Sequence, residues 1–229
     1  MTSHPVSSFL IRTDQLLRGR AESGGAEDDA AGRLPHLLLM IVVFGAFYGA
    51  MMGAFGGLQG RSLQPLYSAV KVPMLLLVSF ALSLPSFFVL NTVAGLRSDF
   101  RDVVHALIAS QAGLTAVLAS LAPFTAFWYV CDADYDRALI FNAGMFFVAM
   151  LAGQWMLRRS YRPLIARNRR HLGLLRTWLV TYAFVTIQMA WVLRPFVGQP
   201  HSSVSFFRPE AWGNAYVELV HIALRAIGS

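Results

Sequence analysis

Between Leu34 and Arg194 the chain alternates long apolar stretches with short polar connectors. The stretches fall at roughly 36–56, 72–94, 103–129, 137–157 and 174–194. About 20 helical residues, at about 1.5 Å each, cross a hydrocarbon core of about 30 Å, so each stretch predicts one membrane-spanning helix. The third is the longest and carries Pro123, which predicts a tilt or kink. No period-two alternation occurs, and lipid cannot satisfy an open sheet edge, so helices are the expected solution. The expected fold is an all-α integral membrane bundle of five transmembrane helices with amphipathic N- and C-terminal segments. Residues 1–33 form a leading segment and linker, 34–198 the membrane domain, and 199–229 an outer tail.

The flanking segments have their own patterns. Val6, Phe9, Leu10, Thr13 and Leu17 recur at helical spacing, with Arg12, Arg18 and Arg20 elsewhere on the wheel. This predicts either a short helix lying on an anionic membrane surface or a frayed terminus. Residues 21–33 are small, acidic and Gly-rich, the composition of a flexible linker. In the tail, Pro209 and Glu210 suit a helix start. Asn214, Glu218, His221 and Arg225 then form one polar stripe, opposed by Trp212, Tyr216, Leu219, Val220, Ala223 and Ile227. An amphipathic helix on the outer leaflet or against the bundle is expected there.

Composition supports the membrane reading. The 229 residues are 56% hydrophobic and 14% charged, against about 25% charged in soluble domains. The net charge of +7 is placed beside apolar spans, which argues against nucleic acid as the partner. If the spans are crossings, thirteen cations face one side and six the other. Seven of the thirteen lie between spans 4 and 5: Arg158, Arg159, Arg162, Arg167, Arg169, Arg170 and Arg176. The positive-inside rule therefore places this connector and the N-terminus in the cytoplasm and the C-terminus outside. Lys71, the one lysine, is assigned to the connector before span 2. Cys131 is the one cysteine, so an intrachain disulfide is excluded. The N-terminal residues lack the pattern of a cleavable signal peptide.

The candidate motifs concern packing more than chemistry. Gly45, Gly49, Gly53 and Gly57 repeat every four residues in span 1, which makes a groove where another backbone can approach closely. The pattern leaves open whether that backbone belongs to this chain. In span 2, Pro85 frees the Ala81 carbonyl, the kind of break that forms transporter sites and, elsewhere, simple kinks. Asn91, Gln111 and Gln154 fall toward the cytoplasmic half, and Asn142, Gln188 and Arg194 toward the outer end. Such groups can hold helices together by hydrogen bonds or line a permeation path. No charged residue is assigned deep within a span.

Arg158, Arg159, Arg162, Arg167, Arg169 and Arg170 predict attraction to anionic headgroups or an acidic partner, besides fixing topology. The acidic turn at 131–136 lacks the glycine and final glutamate of a calcium loop and reads as a solvated turn. Cys131 beside it is expected to be a thiol at a buried edge. Glu218 and His221, with His201 and Glu210, supply too few ordered ligands to predict a metal site. His36, His105 and His171 all sit toward one edge, which disfavours membrane haem. No cofactor, metal or catalytic residue is expected.

Two groups of residues carry a resemblance. One is Lys71-Val72-Pro73 with Leu84-Pro85-Ser86 and Asn91. The other is Gln188-Met189-Ala190-Trp191, then Arg194-Pro195-Phe196-Val197-Gly198 and Phe207-Arg208-Pro209. Together they resemble a group of bacterial polytopic membrane proteins without an established activity. The five-span layout is also similar to Yip1-type membrane proteins. Neither likeness implies a catalytic residue. The expected role is a non-catalytic subunit or scaffold in the bacterial cytoplasmic membrane, bound to anionic lipid and to other membrane subunits or copies of itself. The alternative is a transporter of a small solute or lipid, with its site at Pro85.

Overall fold

The computed structural model describes residues 9, 11, 13–16, 28–56, 63–132, 134–198 and 205–207. Among them the regular structure is helical. Five long helices follow in order: α1 (Asp28–Gly53), α2 (Leu63–Val93), α3 (Phe100–Cys131), α4 (Tyr135–Arg167) and α5 (Arg170–Leu193). Each contains a stretch long and apolar enough to cross a membrane. This is the architecture of a multi-pass membrane protein.

The helices outrun the apolar stretches that announce them. α2 begins at Leu63, which places Lys71 inside a helix and not in the connector the sequence assigned to it. α4 continues through Pro163 to Arg167, so the supposed arginine loop is mostly helix. Arg158, Arg159, Arg162 and Arg167 occupy its last turns, Arg170 and Arg176 lie on α5, and only Asn168 and Arg169 connect the two. Hydropathy marks where lipid touches a helix. It does not mark where backbone hydrogen bonding stops, and helices commonly project beyond the apolar layer. α2 also runs unbroken through Pro73 and Pro85, and α3 through Pro123.

The turns have local causes. α2 ends in a Schellman motif: the Leu96 amide donates to the Asn91 carbonyl and the Gly95 amide to Thr92. Gly95 has φ of 76°, which a glycine adopts without strain. A single turn of 3₁₀ helix, Arg97–Asp99, then leads into α3. At the opposite end Asp134 caps α4, its carboxylate accepting from the Arg137 amide at 2.9 Å. Asn168 starts α5 in a similar way, accepting from the Arg170 amide at 3.0 Å. The acidic turn is thus a capping device, and Cys131 beside it is exposed, contrary to the buried-edge expectation.

The helices pack in the spatial order α5, α2, α1, α3, α4. α1 lies between α2 and α3, and α4 and α5 scarcely meet although they are joined in sequence. Two apolar cores result. One draws on all five helices, through Ile41, Phe80, Leu107, Leu157 and Trp178 among others. The second, at the other end, gathers Tyr48, Met52, Phe55, Leu118, Ala149 and Val197. Phe9, from the N-terminal segment, lies edge-on to His36 at 5.2 Å and tilted against Phe44 at 5.5 Å, so this residue packs on α1.

The span-1 glycines explain how α2 comes so close. Gly45 faces Pro73, and Gly53 faces Pro65. An added Cβ at Gly49 would overlap the Ser68 carbonyl and lie 2.9 Å from the Ala69 Cα. The helix meeting this groove is α2 of the same chain. Gly57 lies outside the described residues.

Candidate functional site

The polar side chains inside the bundle collect at a few places. The most concentrated is where α5 ends against the first turns of α2. Gln64, Ser68 and Lys71 are spaced by four and three, so they share one helix face. All three are buried. The chain leaving α5 climbs along that face. The Lys71 amine donates to the Pro195 carbonyl at 2.8 Å. Gln64 donates to the Phe196 carbonyl at 3.2 Å, and Ser68 donates to the same oxygen. Gly198 passes Gln64 so closely that a Cβ there would lie 2.9 Å from the Gln64 Cγ. Phe206 returns to cover the lysine, its ring centroid 4.9 Å from Nζ and 5.3 Å from that of Tyr67.

This segment needs such donors. After Leu193 the backbone leaves the helix, and its carbonyls lose their intrahelical partners inside a largely apolar setting. Lys71, Ser68 and Gln64 supply those partners. Hydropathy starts span 2 near residue 72, nine residues after the helix itself begins, so these three were not announced as a site. Arg194, just before this segment, stacks its guanidinium 3.4 Å from the Trp191 ring centroid.

A second cluster joins α1, α3 and α4. The Tyr48 hydroxyl donates to the Asn142 carboxamide oxygen at 3.1 Å. Asn142 Nδ2 donates to the Tyr129 hydroxyl at 2.6 Å and to the Ala138 carbonyl at 2.8 Å. Tyr129 in turn donates to the Met52 carbonyl at 3.1 Å. Three helices are therefore tied by one connected network, the adhesive use of an intramembrane carboxamide.

Of the polar residues weighed for a site at the span-2 proline, Gln111 shares a cavity with Ala81, and Asn91 and Gln154 do not line it. Pro85 faces outward. Asn91 is buried and donates to the Phe87 carbonyl of its own helix at 2.9 Å. Gln111 is buried in α3, and Gln154 lies half-buried on α4, where Gly153 meets Leu114 and Ser110. Gln188 is half-buried on α5. One cavity of about 290 Å³ does lie between α1, α2 and α3. Ala81, whose carbonyl Pro85 frees, and Gln111 are on its wall, with Ile41, Leu76 and Phe80.

The arginines divide by environment. Arg158, Arg162, Arg167, Arg169 and Arg170 are exposed. Arg159 is half-buried, with its guanidinium 5.8 Å from the Trp155 ring centroid. Arg167 approaches Asp102 at 3.9 Å, both side chains largely exposed, a pair of small energetic weight. Arg170 instead donates to the Ala94 carbonyl at 3.1 Å and fastens the start of α5 to the end of α2. Beside it, His171 is fully buried and its Nε2 lies 3.0 Å from the Asp99 carboxylate. Among the described residues no three His, Cys, Asp or Glu side chains are placed to hold a metal ion. Glu218, His221, His201 and Glu210 lie outside those residues.

Comparison with protein-family models, curated proteins and solved structures gave no match.

Proposed function

We propose that this chain is a non-catalytic integral membrane subunit, one that packs beside and stabilises other membrane proteins. The observation that carries the reading is how its intramembrane polar groups are used. Lys71, Ser68 and Gln64 hold the exit of α5, and Asn142 with Tyr48 and Tyr129 holds α1, α3 and α4 together. Such bonds build a rigid body; they do not line a path.

The outer helices of the row supply the surface. α4 and α5 bury the smallest shares of their apolar stretches. Trp155 is 60% exposed and Phe184 59%. In a bilayer these faces meet lipid or a neighbouring helix, and van der Waals packing with such a neighbour is what drives association there. The glycine groove is not available for this purpose, since α2 fills it.

On this reading the protein sits in a bacterial cytoplasmic membrane, in keeping with its resemblance to bacterial polytopic proteins. The N-terminus and the arginines of α4 and α5 lie inside, near anionic lipid, and the C-terminus outside. Purification at native expression in several mild detergents, followed by mass analysis of the intact complex, tests the proposal. A defined second subunit or a defined oligomer is the expected result. A lone monomer in every detergent overturns it.

The cavity beside Ala81 and Gln111 favours one other reading, transport of a small solute or lipid. Flux into proteoliposomes that vanishes in Gln111→Leu, with the fold intact, would establish it over the first.

A further inference from the structure

A second cleft, separate from the arginines of α4, lies where α1 begins, α2 ends and α3 begins. Its volume is about 470 Å³. Arg97, Ser98 and Arg101 stand on its polar rim, and Leu34, Phe88 and Val104 are on its apolar wall. We propose that this cleft binds an anionic phospholipid, its phosphate between Arg97 and Arg101 and an acyl chain against Leu34, Phe88 and Val104.

Three observations lead there. First, the two arginines are four residues apart across the start of α3, so their guanidinium groups can converge on one anion. Second, the nearby carboxylates are directed elsewhere. Asp99 is held by His171 of α5 at 3.0 Å, and Asp102 approaches Arg167 of α4 at 3.9 Å. Neither carboxylate lines the cleft, and neither Arg97 nor Arg101 forms an ion pair among the described residues. Among the described residues the cleft therefore carries positive charge with no facing carboxylate. Third, its apolar wall runs into lipid-facing surface. Phe88 is 39% exposed, and Pro85 and Ala81, one and two turns earlier on the same helix face, are exposed as well. A soluble anion would satisfy the rim and leave this wall unused. A phospholipid fits both. Close by, the Nε2 of His105 is buried without a partner among the described residues, while its Nδ1 lies 3.0 Å from the Arg101 carbonyl.

The proposal rests on the five helices crossing a bilayer and is independent of the subunit reading. Native mass spectrometry of the full chain tests it, with titration of phosphatidylglycerol, phosphatidylcholine of the same chains, and inorganic phosphate. The expected result is tight phosphatidylglycerol binding, at least about tenfold tighter than phosphatidylcholine. Two cations at a membrane surface correspond to about thirtyfold in affinity, so Arg97→Gln with Arg101→Gln should lose about that much. Arg137→Gln, at the opposite end of the bundle beside Asp132, should keep it. Val104→Trp, which fills the apolar wall and leaves both charges, should also lose the lipid. Should the double glutamine variant fail to fold, Arg97→Lys with Arg101→Lys must retain the preference and Val104→Trp must abolish it. Unchanged phosphatidylglycerol binding in Arg97→Gln with Arg101→Gln, or in Val104→Trp, overturns the proposal. So does inorganic phosphate that displaces the lipid at equal concentration, which would mark a site for a free anion.

Discussion

Lys71 is fully buried and donates to a carbonyl 124 residues away. Removing a buried donor leaves its acceptor dry and unpaired, at a cost of about 1–3 kcal/mol. Lys71→Met keeps most of the volume and removes the donor, so it should lower thermal stability in detergent by about that amount and loosen the 195–198 segment to protease. Asn142→Leu should cost about 0.6–2 kcal/mol, and a double-mutant cycle with Tyr129→Phe should show coupling of the same order. Asp132, outside the spans, behaves differently. Hydrogen bonding to the Asp134 amide, helped by Arg137, holds its carboxyl below the usual carboxylate range. Its contribution is therefore complete above the ordinary carboxylate pKa and lost as pH falls through the lowered one. Asp132→Asn should flatten the acid limb of stability, read by thermal melts across pH. At this scale the sequence was partly legible. Asn142 lies near the α3–α4 turn, as its position early in span 4 implied, and Gln64, Ser68 and Lys71 were not seen together. Their spacing of four and three was visible, but hydropathy put them outside the helix.

The helices themselves were the most legible feature, because twenty apolar residues in a row have few other solutions. Their ends were not, since polar turns beyond the bilayer remain helical. The glycine stripe announced a close approach, and the partner became known only with the fold. Gly49→Ala should destabilise by about 1–3 kcal/mol, because the new methyl meets the Ser68 carbonyl and α1 and α2 must separate. Gly144→Ala has open space around its Cβ and should be neutral or slightly stabilising. Unfolding of both variants in the same detergent provides the comparison. The α3–α4 contact was missed. It depends on Gly153 against Leu114 and Gly113 against Met156, which are single glycines with no repeat to flag them.

At the scale of the molecule, topology is testable with the native chain. Cys131 is exposed at the end of α3 and is the one cysteine in the sequence. If the arginine-rich end is inside, an impermeant maleimide should label it in intact spheroplasts without prior lysis. Protection until lysis would reverse the orientation. The order of the row, α5, α2, α1, α3, α4, has a consequence for biogenesis. Ribosomes deliver the segments from first to last, so α2 is made long before the residues that complete its far side. For that interval the lysine of α2 lacks the Pro195 carbonyl that accepts its hydrogen bond in the finished protein. A nascent α2 should therefore stay beside the insertion machinery, in contact with water, until the last crossing arrives. Chains stalled before residue 193 should crosslink to the translocon through α2, and release should follow when the stall is moved past the α5 exit.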